Sequence, residues 1–251
     1  MSLPITPSFR LDGRRALVTG GSRGIGLGCA CALAEAGAEV ILAARGKAEL
    51  GKAVAEMQDA GFNADGHPLD VTNLAAMRAF FAAHGPFGIL VNSAGMARHS
   101  PALETRPEDF DAVSNVNIRA AYFLAQEAAR GMAGGGSIIQ ISSQMGHVGG
   151  QDRAVYCATK HAVEGMTKAM AIDWAPKRIR VNTICPTFIR TPLTEQTFSD
   201  PEKVEWIEGK IKLGRVGEIE DIMGAVVYLA SDASALVTGT SILVDGGWTA
   251  G

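Results

Sequence analysis

The feature that most constrains the fold of this chain is an alternation of short β-branched runs with longer helical patterns, beginning near residue 15. Several of the runs are continuously apolar, which is typical of strands buried on both faces of a sheet. Repetition of strand, helix and strand predicts right-handed crossovers and a parallel sheet with helices on both faces. The predicted strands are residues 16–19, 40–43, 64–69, 89–92, 137–142, 180–184 and 241–244, and the predicted helices include 26–36, 47–60, 73–83 and 154–174.

A single α/β domain over residues 1–251 is the simplest organisation, because the chain contains no internal repeat and no low-complexity linker. A chain of this length can bury a sizeable core without disulfides or metals. Residues 1–8 are expected to be flexible. Residues 187–214 lack a clear core pattern, so they are predicted to form a lid over a substrate site.

Charge and composition exclude several classes of function. The net charge of -3, with no long run of like charge, predicts no nucleic-acid partner, because phosphate binding needs a concentrated basic surface. No apolar stretch approaches the roughly 18 residues that a membrane span needs, and no secretion signal is evident, so a cytoplasmic protein is expected. The four cysteines lack zinc-ligand spacing, so reduced thiols and no metal are predicted.

A glycine-rich turn follows the first predicted strand, with the sequence Thr19-Gly20-Gly21-Ser22-Arg23-Gly24-Ile25-Gly26. Such a strand-to-helix turn lets backbone N–H groups and a helix N-terminus approach a pyrophosphate. Glycines alone are a weak signal, but their place in the first unit of an alternating β/α chain favours a dinucleotide site.

A second group of residues has the chemistry of a proton-transfer site. Tyr156 and Lys160 are four residues apart in a predicted helix and therefore share one face. An ammonium held beside a phenol stabilises the phenolate. Ser143 follows an apolar strand, where parallel sheets place functional groups. Each residue alone has an ordinary structural explanation, as surface packing or as a cap.

Taken together, these motifs resemble the short-chain dehydrogenase/reductase family, in its compact single-domain branch. The resemblance rests on Thr-Gly-x-x-x-Gly-x-Gly, on the turn Asn92-Ser93-Ala94-Gly95, and on Tyr156-Cys157-Ala158-Thr159-Lys160, and it runs from Arg14 to about Gly247. Ser93 stands for a second Asn of the family, and Thr187 stands where the family usually has Gly. The resemblance implies a Rossmann-like, doubly wound, seven-stranded parallel sheet with strand order 3-2-1-4-5-6-7.

The resemblance also implies roles for individual residues. The catalytic tetrad is Asn117, Ser143, Tyr156 and Lys160: Tyr156 exchanges the proton with the substrate oxygen, Ser143 orients that oxygen, Lys160 assists Tyr156 and binds ribose, and Asn117 supports a water relay. Asp70-Val71 is implied to contact the adenine. The full predicted cofactor set is Gly20, Ser22, Arg23, Gly24, Ile25, Gly26, Arg45, Asp70, Val71, Asn92, Ala94, Gly95, Tyr156, Lys160, Pro186, Ile189 and Thr191.

The choice between NADP(H) and NAD(H) depends on the end of the second strand. An acidic residue there would hold the two ribose hydroxyls of NAD and repel a 2′-phosphate. That position is Ala44, and Arg45 follows it. Arg45 and Arg23 could clamp a 2′-phosphate with help from Ser22, so NADP(H) is predicted, with NAD(H) as the alternative.

Polar residues are predicted to line the substrate pocket: Gln144, His147, Gln151 and Arg153 follow Ser143. They favour a sugar, polyol or hydroxy acid over a steroid or fatty acyl chain, because unpaired buried polar groups are costly. The alternatives are a 3-oxoacyl-carrier-protein reductase and a regulator that binds cofactor without turnover. By resemblance a homotetramer is expected, with one interface formed by helices around residues 112–131 and 154–174 and another by the C-terminal strand region.

Overall fold

Seven parallel strands form one sheet in the order β3-β2-β1-β4-β5-β6-β7, as the sequence predicts. The computed structural model describes residues 3–192 and 194–251. Each predicted strand is present, with bounds that differ by no more than two residues at either end. The strands are β1 Arg15–Thr19, β2 Glu39–Ala44, β3 Ala64–Pro68, β4 Ile89–Asn92, β5 Gly136–Ile141, β6 Ile179–Pro186 and β7 Ser241–Val244.

Helices cover both faces of this sheet and divide the apolar core in two. One core lies under α1, α2 and α9, around Leu33, Leu50 and Val226. The other lies under α3, α5 and α6, around Phe80, Leu124 and Met170. The helices are α1 Gly24–Glu35, α2 Lys47–Asp59, α3 Leu74–His84, α4 Pro107–Ser114, α5 Ala121–Gly131, α6 Ala154–Trp174, α7 Glu195–Phe198, α8 Pro201–Lys210 and α9 Glu220–Ala230.

The central strands are buried because both of their faces are covered by helices. In β1 and β4 every residue after Arg15 is buried, and these two strands are parallel neighbours. Alternation of polar and apolar residues is therefore absent, as expected for a parallel sheet. The carboxyl ends of β1, β4, β5 and β6 meet at one edge, which is where ligands bind in sheets of this kind.

Residues 187–214, the predicted lid, contain two helices and a small apolar cluster of their own. Ile207 and Ile211 are buried against Val216, with Phe188 and Trp248 packed on them. The sequence pattern misses this cluster because α8 buries Ile207 alone among its ten residues. Leu193, inside the predicted lid, and Met1 and Ser2, inside the predicted flexible start, lie outside the described residues. Residues 3–8 are exposed and belong to no helix or strand.

Within residues 3–192 and 194–251, no helix is both long and apolar enough to span a bilayer. The four cysteines are free thiols rather than disulfides. Burial raises the pKa of Cys29 to about 12. This thiol is therefore protonated at neutral pH and acts as a small apolar side chain.

Candidate active site

A groove of about 720 Å³ runs along the carboxyl edge of the sheet. Its walls come from the turns that follow β1, β2, β3, β4, β5 and β6, and from the start of α6. Most of the residues predicted to bind cofactor, and three of the predicted tetrad, therefore share one cavity. The predicted residues that line it are Gly20, Ser22, Arg23, Gly24, Ile25, Gly26, Arg45, Asp70, Val71, Ala94, Gly95, Ser143, Tyr156, Lys160, Pro186, Ile189 and Thr191.

The glycine-rich turn approaches its neighbours too closely for side chains. Gly20 has a φ of +65°, and a Cβ there would lie 3.0 Å from the backbone of Ser93 and Ala94. At Gly26 a Cβ would lie 2.1 Å from the carbonyl oxygen of Gly20. These glycines let the first helix begin directly against the turn, so its N-terminus points into the groove and favours an anion there.

A chain of buried hydrogen bonds fixes the strand ends beside this turn. The Thr19 hydroxyl donates to Asn92 Oδ1 over 2.9 Å, and Asn92 Nδ2 donates to Gln140 Oε1 over 2.7 Å. Thr19, Asn92 and Gln140 belong to β1, β4 and β5, so the chain holds three strand ends in register. Asn92 thus supports the wall of the groove from behind and does not line it.

Asp70 lies in the turn after β3, at the exposed end of the groove. Its Oδ1 accepts hydrogen bonds from the backbone N–H and the hydroxyl of Thr72, over 2.9 and 2.7 Å. These bonds, with a smaller contribution from Arg45, lower the pKa of the Asp70 carboxyl below its usual value. A carboxylate held in one orientation is suited to accept from an amino group of a ligand.

The position predicted to distinguish the two nicotinamide cofactors holds both a cation and an anion. Arg45 is exposed and lines the groove. Glu49 on α2 also lines it, accepting from the Ser22 hydroxyl over 2.8 Å and from the Arg23 guanidinium over 3.3 Å. The sequence analysis missed Glu49 because it considered only the strand end. The four-residue spacing from Arg45, at the start of a predicted helix, could have indicated it.

Ser143, Tyr156 and Lys160 lie on the same wall of the groove. The Ser143 hydroxyl oxygen accepts from the backbone N–H of Met145 over 3.1 Å, which leaves its proton available to donate. The Lys160 ammonium is buried, donates to the carbonyl of Ile141 over 2.9 Å, and lies 5.6 Å from the centre of the Tyr156 ring. The cation is thereby fixed beside the phenol.

Asn117 lies behind this wall, in a π-helical turn between α4 and α5. Its Oδ1 accepts from Met96 N–H over 2.9 Å, and its Nδ2 donates to Met96 carbonyl and to Thr159 over 2.9 and 3.1 Å. The side chain therefore ties the turn after β4 to α6. Its predicted part in a water relay stays a prediction.

The segment after β6 closes one side of the groove. Pro186 ends the strand, and the backbone N–H of Thr187 donates to Val244 over 3.1 Å. Thr187 does not need the left-handed backbone conformation that glycine favours, since Asp152 and Arg178 are the non-glycine residues of the described chain with positive φ. Thr191 lies against Gly24 of the glycine-rich turn, so the predicted lid contacts the phosphate end of the groove.

Arg153 and His99 lie next to Tyr156, beyond the groove. One guanidinium nitrogen of Arg153 is 2.6 Å from His99 Nε2, and the His99 ring packs edge-on against Tyr156 with centroids 5.9 Å apart. Burial, followed by the charge of Arg153, lowers the pKa of His99 to about 4. His99 is therefore neutral at neutral pH and accepts the hydrogen bond.

The other residues predicted to contact substrate have different surroundings. Gln144 is buried, and neither its amide oxygen nor its amide nitrogen has a hydrogen-bond partner. Gln151 is exposed in the loop before α6. His147 Nε2 faces away toward Cys185 Sγ and Glu164 Oε2, at 3.4 and 3.7 Å. Burial and Glu164 raise the pKa of Cys185 to about 12, so this cluster holds a protonated thiol.

Comparisons with known proteins agree with this geometry. A family model described as "Enoyl-(Acyl carrier protein) reductase" matches residues 20–249. The chain is 39% identical over 247 residues to gluconate 5-dehydrogenase of Gluconobacter oxydans (strain 621H), covering 96% of each protein. It is 38% identical over 245 residues to L-xylulose reductase of Bos taurus, covering 96% of this chain and 99% of that protein.

A solved structure extends the likeness to three dimensions. The crystal structure of a gluconate 5-dehydrogenase from Burkholderia cenocepacia J2315 in complex with NADP and tartrate matches with a TM-score of 0.93 and 39% identity. The match covers 97% of this chain and 98% of that chain. With near-complete coverage in sequence and in fold, this chain belongs to the short-chain dehydrogenase/reductase family, whose members interconvert alcohols and carbonyl compounds.

Proposed function

We propose that this protein is an NADP(H)-dependent oxidoreductase that interconverts a secondary alcohol and a carbonyl group on a polar substrate such as a sugar, polyol or hydroxy acid. The observation that carries the proposal is the groove itself. Ser143, Tyr156 and Lys160 line one end of it, and the glycine-rich turn and Arg45 line the other. A dinucleotide site and a proton-transfer site are thus continuous.

The groove fits a dinucleotide on grounds independent of the relatives. Glycines stand where a Cβ would clash with the backbone, and the N-terminus of α1 faces the space beside them. Arg45 carries a charge without an ion-pair partner in the described part of the chain. A 2′-phosphate would supply that partner, which favours NADP(H). The Burkholderia neighbour binds NADP according to its description.

The proposed chemistry divides between cofactor and protein. NADP(H), when bound, supplies or accepts the hydride. Tyr156 donates its phenolic proton to the substrate oxygen in reduction and removes it in oxidation. Lys160, fixed by Ile141, stabilises the phenolate that remains. Ser143, whose oxygen already accepts from Met145, turns its hydroxyl proton toward the substrate oxygen and polarises the carbonyl.

A polar substrate is favoured by the residues next to Tyr156 and Ser143. The unpartnered amide of buried Gln144 and the guanidinium of Arg153 are groups that an apolar substrate would leave unsatisfied. The relatives named above act on gluconate and L-xylulose, according to their names. Carrier-protein reduction is less favoured, since Arg130, the predicted contact for an acidic carrier, is already paired with Glu127 at 2.6 Å.

Substitution of Tyr156 by Phe tests the proposal most directly. Tyr156→Phe keeps the ring and its packing but removes the proposed proton donor, so turnover of NADPH with a panel of ketoses and keto acids should fall by about 10² to 10⁴. NADPH binding, measured by fluorescence titration, should stay within about twofold of wild type because the groove is unchanged. Retention of more than about a tenth of the wild-type rate would place the proton donor elsewhere.

We also propose that the chain assembles as a homotetramer, with one interface on the outer face of α4, α5 and α6. Phe110 and Tyr122 are large apolar residues with 50% and 42% of their surface exposed on that face. The sequence analysis attributed close helix packing there to alanines of α5. Those alanines, residues 120, 121, 125, 128 and 129, are instead buried within the chain, so larger side chains would form the contact.

A further inference from the structure

Arg153 is a partly buried cation next to the proposed proton donor, and its surroundings provide no anion. It precedes α6, three residues before Tyr156. Its guanidinium donates to His99 and lies 5.3 Å from the centre of the Phe188 ring. Both neighbours are uncharged groups, because the pKa of His99 is lowered to about 4.

Other arginines near the site are paired with carboxylates. Arg98 and Arg106 both contact Asp109, and Arg190 contacts Glu218. Arg153 forms no such pair with any carboxylate in residues 3–192 and 194–251. Its neighbour Asp152 acts on it only weakly, and burial lowers the pKa of the guanidinium against that influence. A cation held in a poorly solvated place is costly unless a counter-ion arrives.

The arrangement leaves the cation oriented for a ligand. The guanidinium has five N–H donors in a rigid planar fork, and the contact with His99 uses one nitrogen. His99 bridges Arg153 and Tyr156, since its ring lies against the phenol on one side and the guanidinium on the other. A small molecule that places one oxygen at Tyr156 can therefore extend a second group toward Arg153.

We propose that Arg153, held by His99 and Phe188, is a carboxylate-binding subsite that selects acidic substrates, such as aldonates and their keto acids, over neutral polyols. The inference rests on the proposed function, since it names the substrate class of the same site. A carboxylate accepts two parallel hydrogen bonds from one guanidinium, so the subsite would also fix which carbon of an open chain faces Tyr156.

Substrate pairs that differ only in a carboxylate provide the test. D-Gluconate with D-glucitol, and L-threonate with L-threitol, are compared as substrates for oxidation with NADP⁺. Wild-type protein should have the higher kcat/KM for the acid of each pair. Arg153→Gln should lower kcat/KM for the acids by about 10- to 100-fold, the usual cost of a lost charge-assisted contact, and change that for the alditols less than threefold.

Two further variants separate charge from structure. Arg153→Lys keeps the charge and loses the fork, so it should retain part of the preference for the acid. Arg106→Gln removes a positive charge from an exposed pair and should leave the preference unchanged. An equal loss for acids and alditols in Arg153→Gln, or a wild-type preference for the alditols, would overturn the subsite.

A binding measurement distinguishes failure of the subsite from failure of the proposed function. D-Gluconate and D-glucitol are titrated calorimetrically into the NADP⁺ complex of Tyr156→Phe, with and without Arg153→Gln. Weaker gluconate binding in the double variant supports the subsite even if no pair is turned over, and absence of turnover would then overturn the proposed reaction. Gluconate affinity that is equal in the two proteins overturns the subsite whatever the turnover.

Discussion

At the scale of single residues, Arg45 and Glu49 bring opposite charges to the same end of the groove. Arg45 is free to meet a 2′-phosphate, whereas Glu49 occupies Ser22 and Arg23, the other two groups that could bind it. The Glu49 side chain keeps 43% of its surface exposed, so it can rotate into solvent when an anion enters. The cofactor preference is thus the balance of a gained and a displaced contact.

Two substitutions should shift this balance in opposite directions. Arg45→Ala should weaken NADPH binding by about 1.5–3 kcal/mol and NADH binding much less, because a charge-assisted contact is lost. Glu49→Gln should strengthen NADPH binding relative to NADH, because a like charge no longer opposes the phosphate. Dissociation constants for both cofactors, measured by fluorescence, check the two changes. A wild-type preference for NADH would contradict the assignment of Arg45.

His99 makes stability depend on pH in a predictable direction. Burial and Arg153, opposed by Asp152, lower its pKa from 6.5 to about 4 in the folded protein. Between these values the unfolded chain binds the proton and the folded chain does not, so this contribution is complete above about pH 6.5 and is lost as the pH falls toward 4. His99→Gln keeps a hydrogen-bond acceptor and removes the titration.

The measurement for His99 is the melting temperature at about pH 7.5 and pH 5. Wild type should lose more between the two than His99→Gln does, because carboxylates that titrate in this range are common to both proteins. An identical loss in the two proteins would mean that His99 has no depressed pKa.

At the scale of elements, the contact between α1 and α9 depends on one missing side chain. A Cβ at Gly28 would lie 2.1 Å from Cγ2 of Ile219, the residue before α9. Gly28→Ala should therefore reduce stability by about 1–3 kcal/mol, as overpacking does, even though alanine favours helix. Chemical unfolding monitored by circular dichroism measures the change.

Two companion variants identify the cause of that loss. Gly51→Ala, in α2 with no neighbour within 4 Å, should be neutral or stabilising by up to about 1 kcal/mol. Adding Ile219→Ala to Gly28→Ala should cost less than the sum of the two single changes, because the clash is removed. Simple additivity would show that the helices do not meet at Gly28.

Elements differ in how well their sequences predict them, for physical reasons. The central strands are apolar and bounded by turns, so their positions are predicted within two residues. Helix α8, with the sequence PEKVEWIEGK, has no apolar stripe, and packing of Ile207 in the lid cluster is what holds it. Motif spacing brings Ser143, Tyr156 and Lys160 together correctly, but side-chain direction is not in the spacing, and His147 faces Cys185 instead of the groove.

At the scale of the whole molecule, the proposed assembly depends on the outer face of α4 and α5. Phe110→Glu combined with Tyr122→Glu should lower the molar mass measured by light scattering, because two charges would be buried at the interface. Ile5→Glu, a similar change at a residue 91% exposed in the N-terminal segment, is the matched control and should leave the mass unchanged. A monomeric wild-type protein at micromolar concentration would contradict the tetramer.

The apolar cluster of the lid also determines the optical properties of the molecule. Two of the three tryptophans, Trp206 and Trp248, are in contact there, with ring centroids 5.6 Å apart and planes at 75°. Trp206 comes from the lid and Trp248 from the end of the chain after β7, so the two indoles join distant parts of the sequence at the groove. The intrinsic fluorescence of the protein therefore originates largely where the lid is anchored, and the chain carries its own reporter of lid position without any attached dye.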